Sequence, residues 1–204
     1  WGLRLTLLLT LREALALALL AVPLLATLFQ HGEFGPTDVE MTRQALVAYS
    51  VGLIGLILVK VLAPGFYARQ NVKTPVKIGL VTLAATQGMN LAFVYPLQHA
   101  GLALAIGLGA CLNAGLLYRK LRQYDVYHPY PGWGAFLAKL VIAVTVMGLV
   151  LWLMLGPEAF WTTQRAWIRA GRLAALVVGG AAVYFAMLAL MGFRPRDFQK
   201  RTAA

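Results

Sequence analysis

The sequence predicts an all-α membrane protein, a bundle of six transmembrane helices in one domain, and three observations support this class. Of its 204 residues, 60% are hydrophobic and only 12% are charged, which leaves too little polar surface to coat a water-soluble globule. The mean hydropathy of +0.73 is spread over several long apolar runs and not concentrated in one N-terminal stretch. The short alternating strands of a membrane barrel are absent, so helices must satisfy the backbone in hydrocarbon.

Six apolar runs follow one another, each near the roughly 20 residues that a spanning helix needs. Their predicted bounds are 5–29, 45–63, 76–95, 100–118, 134–155 and 171–191. Proline-rich or glycine-rich segments separate them at 31–36, 64–75, 96–99, 129–132 and 156–157. We therefore treat residues 1–204 as a single transmembrane domain.

Helix 1 carries an unusual pair of charges, Arg12 and Glu13. They leave only the stretch 14–29 as an uninterrupted apolar run, about 24 Å at the helical rise, which is short for a hydrocarbon core of about 30 Å. The pair is therefore predicted to lie within the inner leaflet. Adjacent helical positions do not face each other, so a simple ion pair is not expected. Arg12 either extends to the inner surface or lines a cavity.

Helices 2 to 4 supply lysines at their inner ends and a polar strip inside the membrane. Lys60 and Lys73 are candidates for headgroup or phosphate contact. For Lys60, as for Lys77 and Lys139, which lie within about a turn of the inner ends of their helices, extension to the interface is the alternative. The strip on helix 3 consists of Thr82, Thr86, Gln87 and Asn90, and Asn113 on helix 4 is a candidate partner. Polar groups at this depth face protein or a watery cavity, so Gln87, Asn90 and Asn113 are candidates for either environment.

Small residues form stripes along helices 4 and 6. Helix 4 has its small residues at 103, 107, 111 and 115, and helix 6 has Gly171, Ala175 and Gly179 at the same four-residue spacing. Such a face allows close helix packing, and the alternative is a groove that admits a lipid chain.

Three arginines stand at helical spacing near the start of helix 6, on the side of the membrane opposite to most of the basic residues. Arg165, Arg169 and Arg172 are candidates for contact with phosphate or with lipid headgroups.

Charge counting orients the bundle with both ends in the cytoplasm. If six helices alternate, thirteen basic residues share one side with the N-terminus and four lie on the other, with Arg12 left out as intramembrane. The positive-inside rule then places the richer side in the cytoplasm. The first group is Arg4, Lys60, Arg69, Lys73, Lys77, Arg119, Lys120, Arg122, Lys139, Arg194, Arg196, Lys200 and Arg201, and the second is Arg43, Arg165, Arg169 and Arg172.

Enzyme, redox and nucleic-acid functions find little support in the residues. Cys111 is the only cysteine, which excludes an internal disulfide and a cysteine-based metal site. His31 and His99 fall in different outer loops and His128 falls on the other side, so the histidines alone assemble no metal site. There is no glycine-rich nucleotide loop, and the net charge of +11 is spread over short inter-helix segments. We expect no catalytic residue, cofactor, metal or nucleic-acid partner.

The stretch from Tyr49 to Gly79 reads YSVGLIGLILVKVLAPGFYARQNVKTPVKIG and closely resembles the MurJ (MviN) family of lipid II flippases. The resemblance continues through MNLAFVYPLQHAGLALAIGLGACLNAGLLY at Met89 to Tyr118, through the proline, glycine and tryptophan at 131–133, and into the basic C-terminal tail. Family members are similar to fourteen-helix proteins of the multidrug/oligosaccharidyl-lipid/polysaccharide (MOP) exporter superfamily. The resemblance implies that this chain is their last six helices and lacks the first eight.

The resemblance implies a function and three expectations about sites. The function would be the transfer of lipid II across the bacterial cytoplasmic membrane by alternating access, with lipid II, membrane lipids and the missing N-terminal lobe as partners. The family's cationic cavity is built mainly by arginines of that missing lobe. Arg69 matches a family arginine that pairs with an acid of the N-terminal lobe in the inward-open state, which makes it a gate candidate. Helices 5 and 6 match the pair that forms a groove for the lipid tail.

The sequence departs from the family pattern in helix 1, where residues 11–14 read Leu-Arg-Glu-Ala and the family usually has Leu-Pro-Ala. Two alternatives to the flippase function stay open at this point. One is an exporter of another polyprenyl-linked saccharide or of drugs, and the other is a membrane scaffold that transports nothing.

Overall fold

The structure is a computed structural model that describes residues 2–30, 34–125 and 132–193, and within those residues the chain forms seven α-helices and no strand. The predicted all-α class is confirmed. Residues 129–131 of the predicted turn at 129–132, His31, His128 and the basic tail from Arg194 lie outside the described residues. The helices are α1 (Gly2–Leu19), α2 (Ala21–Leu28), α3 (Pro36–Tyr67), α4 (Lys73–Gln123), α5 (Trp133–Leu155), α6 (Glu158–Thr163) and α7 (Ala166–Leu190).

The first predicted helix is broken into α1 and α2. The two helices meet at an angle of 69° and together are apolar and long enough to form one span. Pro23 lies one turn after the end of α1 and explains the break, because it has no N–H to donate to the carbonyl of Leu19 and its ring crowds that carbonyl. The sequence places Pro23 inside a continuous apolar run, so the break was not predicted.

By length and composition, α3, α4, α5 and α7 can each cross a membrane. Helix α4 has 51 residues, which would extend about 77 Å if straight, far beyond a hydrocarbon core of about 30 Å. It is not straight, because Gln98 has non-helical angles (φ 46°, ψ −123°). We call residues 73–97 the first arm of α4 and residues 99–123 its second arm.

The two arms of α4 pack against each other in antiparallel orientation. A Cβ added to Gly101 would overlap the Phe93 carbonyl, and one added to Gly109 would overlap the Thr86 hydroxyl. Gly101 meets Phe93, and the later glycine, Gly109, meets the earlier residue Thr86, so the two arms run in opposite directions. The chain therefore reverses at Gln98. By length and apolarity the described helices give four spans, or five if the bent pair is one span. The reversal inside α4 divides that helix into two arms, and the count of six stays a prediction.

The order of contacts fixes which helix ends lie together. Helix α3 runs parallel to the second arm, because Gly52 meets Gly107 and Gly65 meets Leu121. Helix α7 runs antiparallel to α5, because Lys139 Nζ donates a hydrogen bond to the Met191 carbonyl (2.8 Å). Both described ends of the chain therefore lie at one end of the bundle. We call it the basic end, and its described cations are Arg4, Lys60, Arg69, Lys73, Lys77, Arg119, Lys120, Arg122 and Lys139.

Two clusters of buried side chains hold the bundle together. One lies among α1, α2, α5, α6 and α7 around Leu140, Trp161 and Tyr184, and Val39 from the start of α3 also belongs to it. The other lies among α1, α3 and α4 around Leu62 and Leu117. Helix α1 contributes to both clusters, so it joins the α3–α4 half of the bundle to the α5–α7 half.

Helices α3 and α7 begin nine and five residues before their predicted bounds, α1, α4 and α5 begin one to three residues early, and α6 was not predicted. Helix α3 begins at Pro36 and not at 45, because the Asp38 carboxylate accepts a hydrogen bond from the Gly35 N–H (2.9 Å) and caps a polar first turn. Helix α7 begins at Ala166, ahead of the apolar run at 171. In α3 and α7 the apolar run gave the bounds of the part that can lie in the membrane, and the residues before it that also belong to the helix were not included.

Candidate functional site

Arg12 and Glu13 form an ion pair at the interface between α1 and α7. Arg12 Nη2 lies 3.3 Å from Glu13 Oε1, and its guanidinium carbon lies 5.2 Å from the centre of the Phe185 ring. The expectation that adjacent positions would not pair was wrong, because two long side chains can span the angular offset between neighbours. Tyr184, beside Phe185, donates a hydrogen bond to the Leu8 carbonyl (2.6 Å). Arg12 thus contacts α7, and it does not border the cavity described below.

The polar strip on the first arm of α4 divides into a packed half and an open half. The Thr82 and Thr86 hydroxyls donate to carbonyls of their own helix, at 2.9 and 2.8 Å. Asn90 Nδ2 lies 3.4 Å from Gln87 Oε1, while Asn90 Oδ1 is buried with no hydrogen-bond partner in the described part of the chain. Gln87 is exposed. The open half therefore presents amide groups whose bonding is incomplete.

Asn113 lies half-buried on the second arm of α4. Its side chain makes no hydrogen bond to any residue that the structure describes, so the predicted pairing with the strip is not seen there.

The three outer arginines have different environments. Arg169 is only 6% exposed, and its Nη1 donates to Gln30 Oε1 (2.7 Å) and to the Trp161 carbonyl (3.0 Å). Arg172 donates to the Met154 carbonyl (3.2 Å) at the end of α5 and lies 4.2 Å from the centre of the Phe160 ring. Neither arrangement supports the predicted headgroup contact.

The reason is α6, which was not predicted and brings a backbone carbonyl and aromatic rings to these arginines. Arg165, at the N-terminal cap of α7, is exposed and stays a headgroup candidate.

The gate candidate Arg69 lies at the basic end, directly after α3, and is exposed. Its Nη1 is 3.4 Å from the Tyr124 carbonyl, so it connects the ends of α3 and α4. Among the described residues it has no ion pair. Lys60 and Lys73 are also exposed and unpaired in the described ranges, as a headgroup contact requires.

The small-residue face of α7 does not pack against the described residues. Gly171 and Ala175 are exposed, Gly179 is half-buried, and a Cβ at either glycine would meet no atom within 4 Å. The helix instead packs through the face that carries Leu176 and Tyr184. Close packing is thus not seen on this face, and contact with a lipid chain stays a prediction.

The small-residue stripe of the second arm of α4 serves packing at one end and borders a cavity at the other. At Gly107 it meets Gly52 of α3 backbone to backbone. Nearer the basic end, Gly115 is exposed with no atom within 4 Å of an added Cβ. There a cavity of about 330 Å³ lies between α1, α3 and the second arm, lined by leucine, isoleucine, alanine and glycine together with Cys111, Tyr118 and Trp133. The four-residue spacing of small side chains suggested a groove, and the structure identifies the helices that form its walls.

Comparisons with known proteins identify one family. Residues 1–170 match the family model described as lipid II flippase MurJ. The lipid II flippase MurJ of Burkholderia cenocepacia is 48% identical over 98% of this chain and 39% of its own length. The probable lipid II flippase MurJ of Vibrio cholerae is 41% identical over 99% of this chain and 38% of its own length.

The fold is also similar to a solved structure titled lipid II flippase MurJ, inward closed conformation. The TM-score is 0.75 at 20% identity, over 93% of this chain and 37% of that one. The chain spans about two fifths of the length of the curated relatives that it matches.

Proposed function

The chain belongs to the MurJ family of lipid II flippases, and from this we propose that it forms part of a protein that moves lipid II from the inner to the outer leaflet of the bacterial cytoplasmic membrane. The observation that carries the proposal is the 48% identity over almost the whole chain to a protein of that name. A sugar-peptide diphosphate headgroup does not cross hydrocarbon unaided, because removing its charges from water costs too much. A polar path through a helical protein removes that cost while the lipid tail stays in the bilayer. The protein is thus a transporter, and we assign it no catalytic role.

We propose that this chain supplies one wall of the path and that the rest of the longer protein supplies the facing wall. Rocking of the two walls would expose the headgroup site to each side in turn. The open half of the polar strip supports this role, because Gln87 is exposed and can offer its amide to a headgroup.

The orientation is part of the proposal. A cytoplasmic basic end is supported by the positive-inside rule, because nine described cations lie there and four, Arg43, Arg165, Arg169 and Arg172, lie toward the other end. Both described ends of the chain would then be cytoplasmic.

Depletion of the full-length protein tests the function. Lipid II accessible to an extracellular probe should fall when the protein is depleted and recover when the wild-type protein is restored. Total lipid II should stay constant or rise, which separates a transport defect from a synthesis defect. Normal surface lipid II after complete depletion would refute the proposal.

A further inference from the structure

The apolar cavity between α1, α3 and the second arm of α4 lies in the half of the bundle nearest the basic end. Its walls include Leu3 and Leu7 of α1, Ile54 and Leu58 of α3, and Ala114 and Gly115 of the second arm. Along α3 the lining continues to Leu62, which gives the cavity a length of roughly 12 Å parallel to the helices. Its shape therefore follows the direction of a lipid chain in one leaflet.

Water is an unsuitable occupant of this cavity. A stable buried water needs two or more polar partners, and the lining is almost entirely hydrocarbon. The volume of about 330 Å³ falls in the range of pockets that hold organic ligands. All of the wall helices are spans or parts of spans, so the apolar material available in bulk around them is lipid chain.

The cavity has an opening on the surface of the bundle. Gly115 borders the cavity and is itself exposed, and an added Cβ there would meet no atom within 4 Å. A chain can thus enter sideways from the surrounding leaflet at Gly115.

The charge around the cavity favours an anionic headgroup. The Arg4 guanidinium carbon lies 5.5 Å from the centre of the Trp133 ring, and Trp133 borders the cavity. Of the residues that the structure describes at the basic end, nine are cations and one, Asp125, is an acid. Anionic lipids are attracted to such a surface.

We propose that this cavity binds an acyl chain of an anionic phospholipid from the leaflet at the basic end, with the phosphate placed near Arg4. The site is separate from the polar strip and does not depend on the transport proposal. Occupancy fills the space between α1 and the α3–α4 half of the bundle and stabilises the contact between them.

Photo-crosslinking in vesicles tests the site. The full-length protein is reconstituted with either phosphatidylglycerol or phosphatidylcholine that carries a photoreactive acyl chain, and labelled peptides are identified by mass spectrometry. We expect labelling in 54–62 and 111–118, several-fold stronger with phosphatidylglycerol. Gly115→Leu, which fills the cavity entrance, should lower this labelling several-fold. Gly79→Leu is the matched control, because Gly79 is also an open glycine of α4 at a similar depth, outside the cavity.

Two further measurements keep the test decisive. Arg4→Gln should reduce the preference for phosphatidylglycerol without abolishing labelling by the chain. Cys111, which borders the cavity, should react with an apolar maleimide more slowly when phosphatidylglycerol is present, once any other cysteine of the protein has been replaced.

Three results would overturn the proposal. They are unchanged labelling in Gly115→Leu, absence of labelling in the wild type because another part of the protein covers the cavity, and displacement of the phospholipid by a polyprenyl-linked lipid.

Discussion

Arg169 brings a positive charge into the interior at the end of the bundle away from the basic end. Its described partners are neutral, the Gln30 amide oxygen and the Trp161 carbonyl, and its Nε is buried with no acceptor among the described residues. Gln30 follows α2 and Trp161 lies in α6, so the two hydrogen bonds join both helices to α7, and removing the donor would leave the two acceptors unpaired.

Arg169→Met should therefore destabilise the protein. The change leaves the Gln30 amide and the Trp161 carbonyl without their donor, which we expect to cost about 2 kcal/mol and several degrees of unfolding temperature in detergent. Arg165→Met is the control, because Arg165 is exposed and should shift the temperature little. Equal shifts for both variants would show that Arg169 has no special structural role.

Gln87 and Asn90 carry the prediction for the polar path. Replacing both by leucine should reduce lipid II transport at least several-fold in the full-length protein while leaving its membrane abundance unchanged, because the headgroup loses amide partners. Gln123→Leu, an exposed glutamine of the same helix at the basic end, serves as control. Normal transport by the double variant would favour a scaffold over a path-lining role.

Arg69 carries the prediction for the gate. We propose that this arginine pairs with an acid of the facing wall, as the family resemblance implies. Arg69→Glu should then shift the full-length protein away from the paired state, and transport should fall. The populations can be followed by distance measurements between spin labels on the two walls. Arg122→Glu reverses an exposed charge at the same end, and if it has the same effect, the cause is general surface charge.

At the scale of elements, the closest contact is between α3 and the second arm of α4. Gly52 and Gly107 meet backbone to backbone, and Gly55 meets Cys111 in the same way one turn further along. Small residues allow helices in lipid to approach this closely, where dispersion contacts and not the hydrophobic effect hold them together.

Gly52→Ala should separate these helices and destabilise the protein, because the new Cβ would overlap the Gly107 Cα. Overpacking of this kind costs about 1–3 kcal/mol, measurable as a lower unfolding temperature. Gly79→Ala should be neutral or stabilising by up to about 1 kcal/mol, because its Cβ meets open space and alanine favours the helix. A stable Gly52→Ala variant would mean that the two helices adjust easily.

The elements that could be predicted from the sequence are those that depend on hydrophobicity alone. The apolar runs locate α3, both arms of α4, α5 and α7, since spanning length is set by bilayer thickness. The break at Pro23 and the short helix α6 could not be predicted, because both lie in segments whose course depends on packing. The ion pair of Arg12 with Glu13 was not predicted either, because the length of the two side chains, and not the spacing of their positions on the helix, allows them to meet.

At the scale of the whole molecule, family and fold were predictable and the roles of single residues were not. The stretch from Tyr49 to Gly79 identified the family before any coordinates, and composition identified the membrane class. The outer arginines look alike in sequence, yet Arg169 is buried and Arg165 is exposed, a difference that arises only when α6 packs on α7. The large exposed hydrophobic side chains, such as Leu91, Leu153 and Leu190, suit a surface in contact with lipid or with the rest of a longer protein.

The reversal at Gln98 has a consequence for biogenesis. Between Lys77 and Arg119 the chain has no Asp, Glu, Lys or Arg, and the two arms join without a loop. Transfer of this turn across the membrane during synthesis therefore moves no Asp, Glu, Lys or Arg side chain through hydrocarbon. The two arms can partition from the translocon into lipid as one helical hairpin, already packed through Thr86 and Gly109. In the proposed orientation, the basic residues on both sides of the hairpin hold its open ends in the cytoplasm.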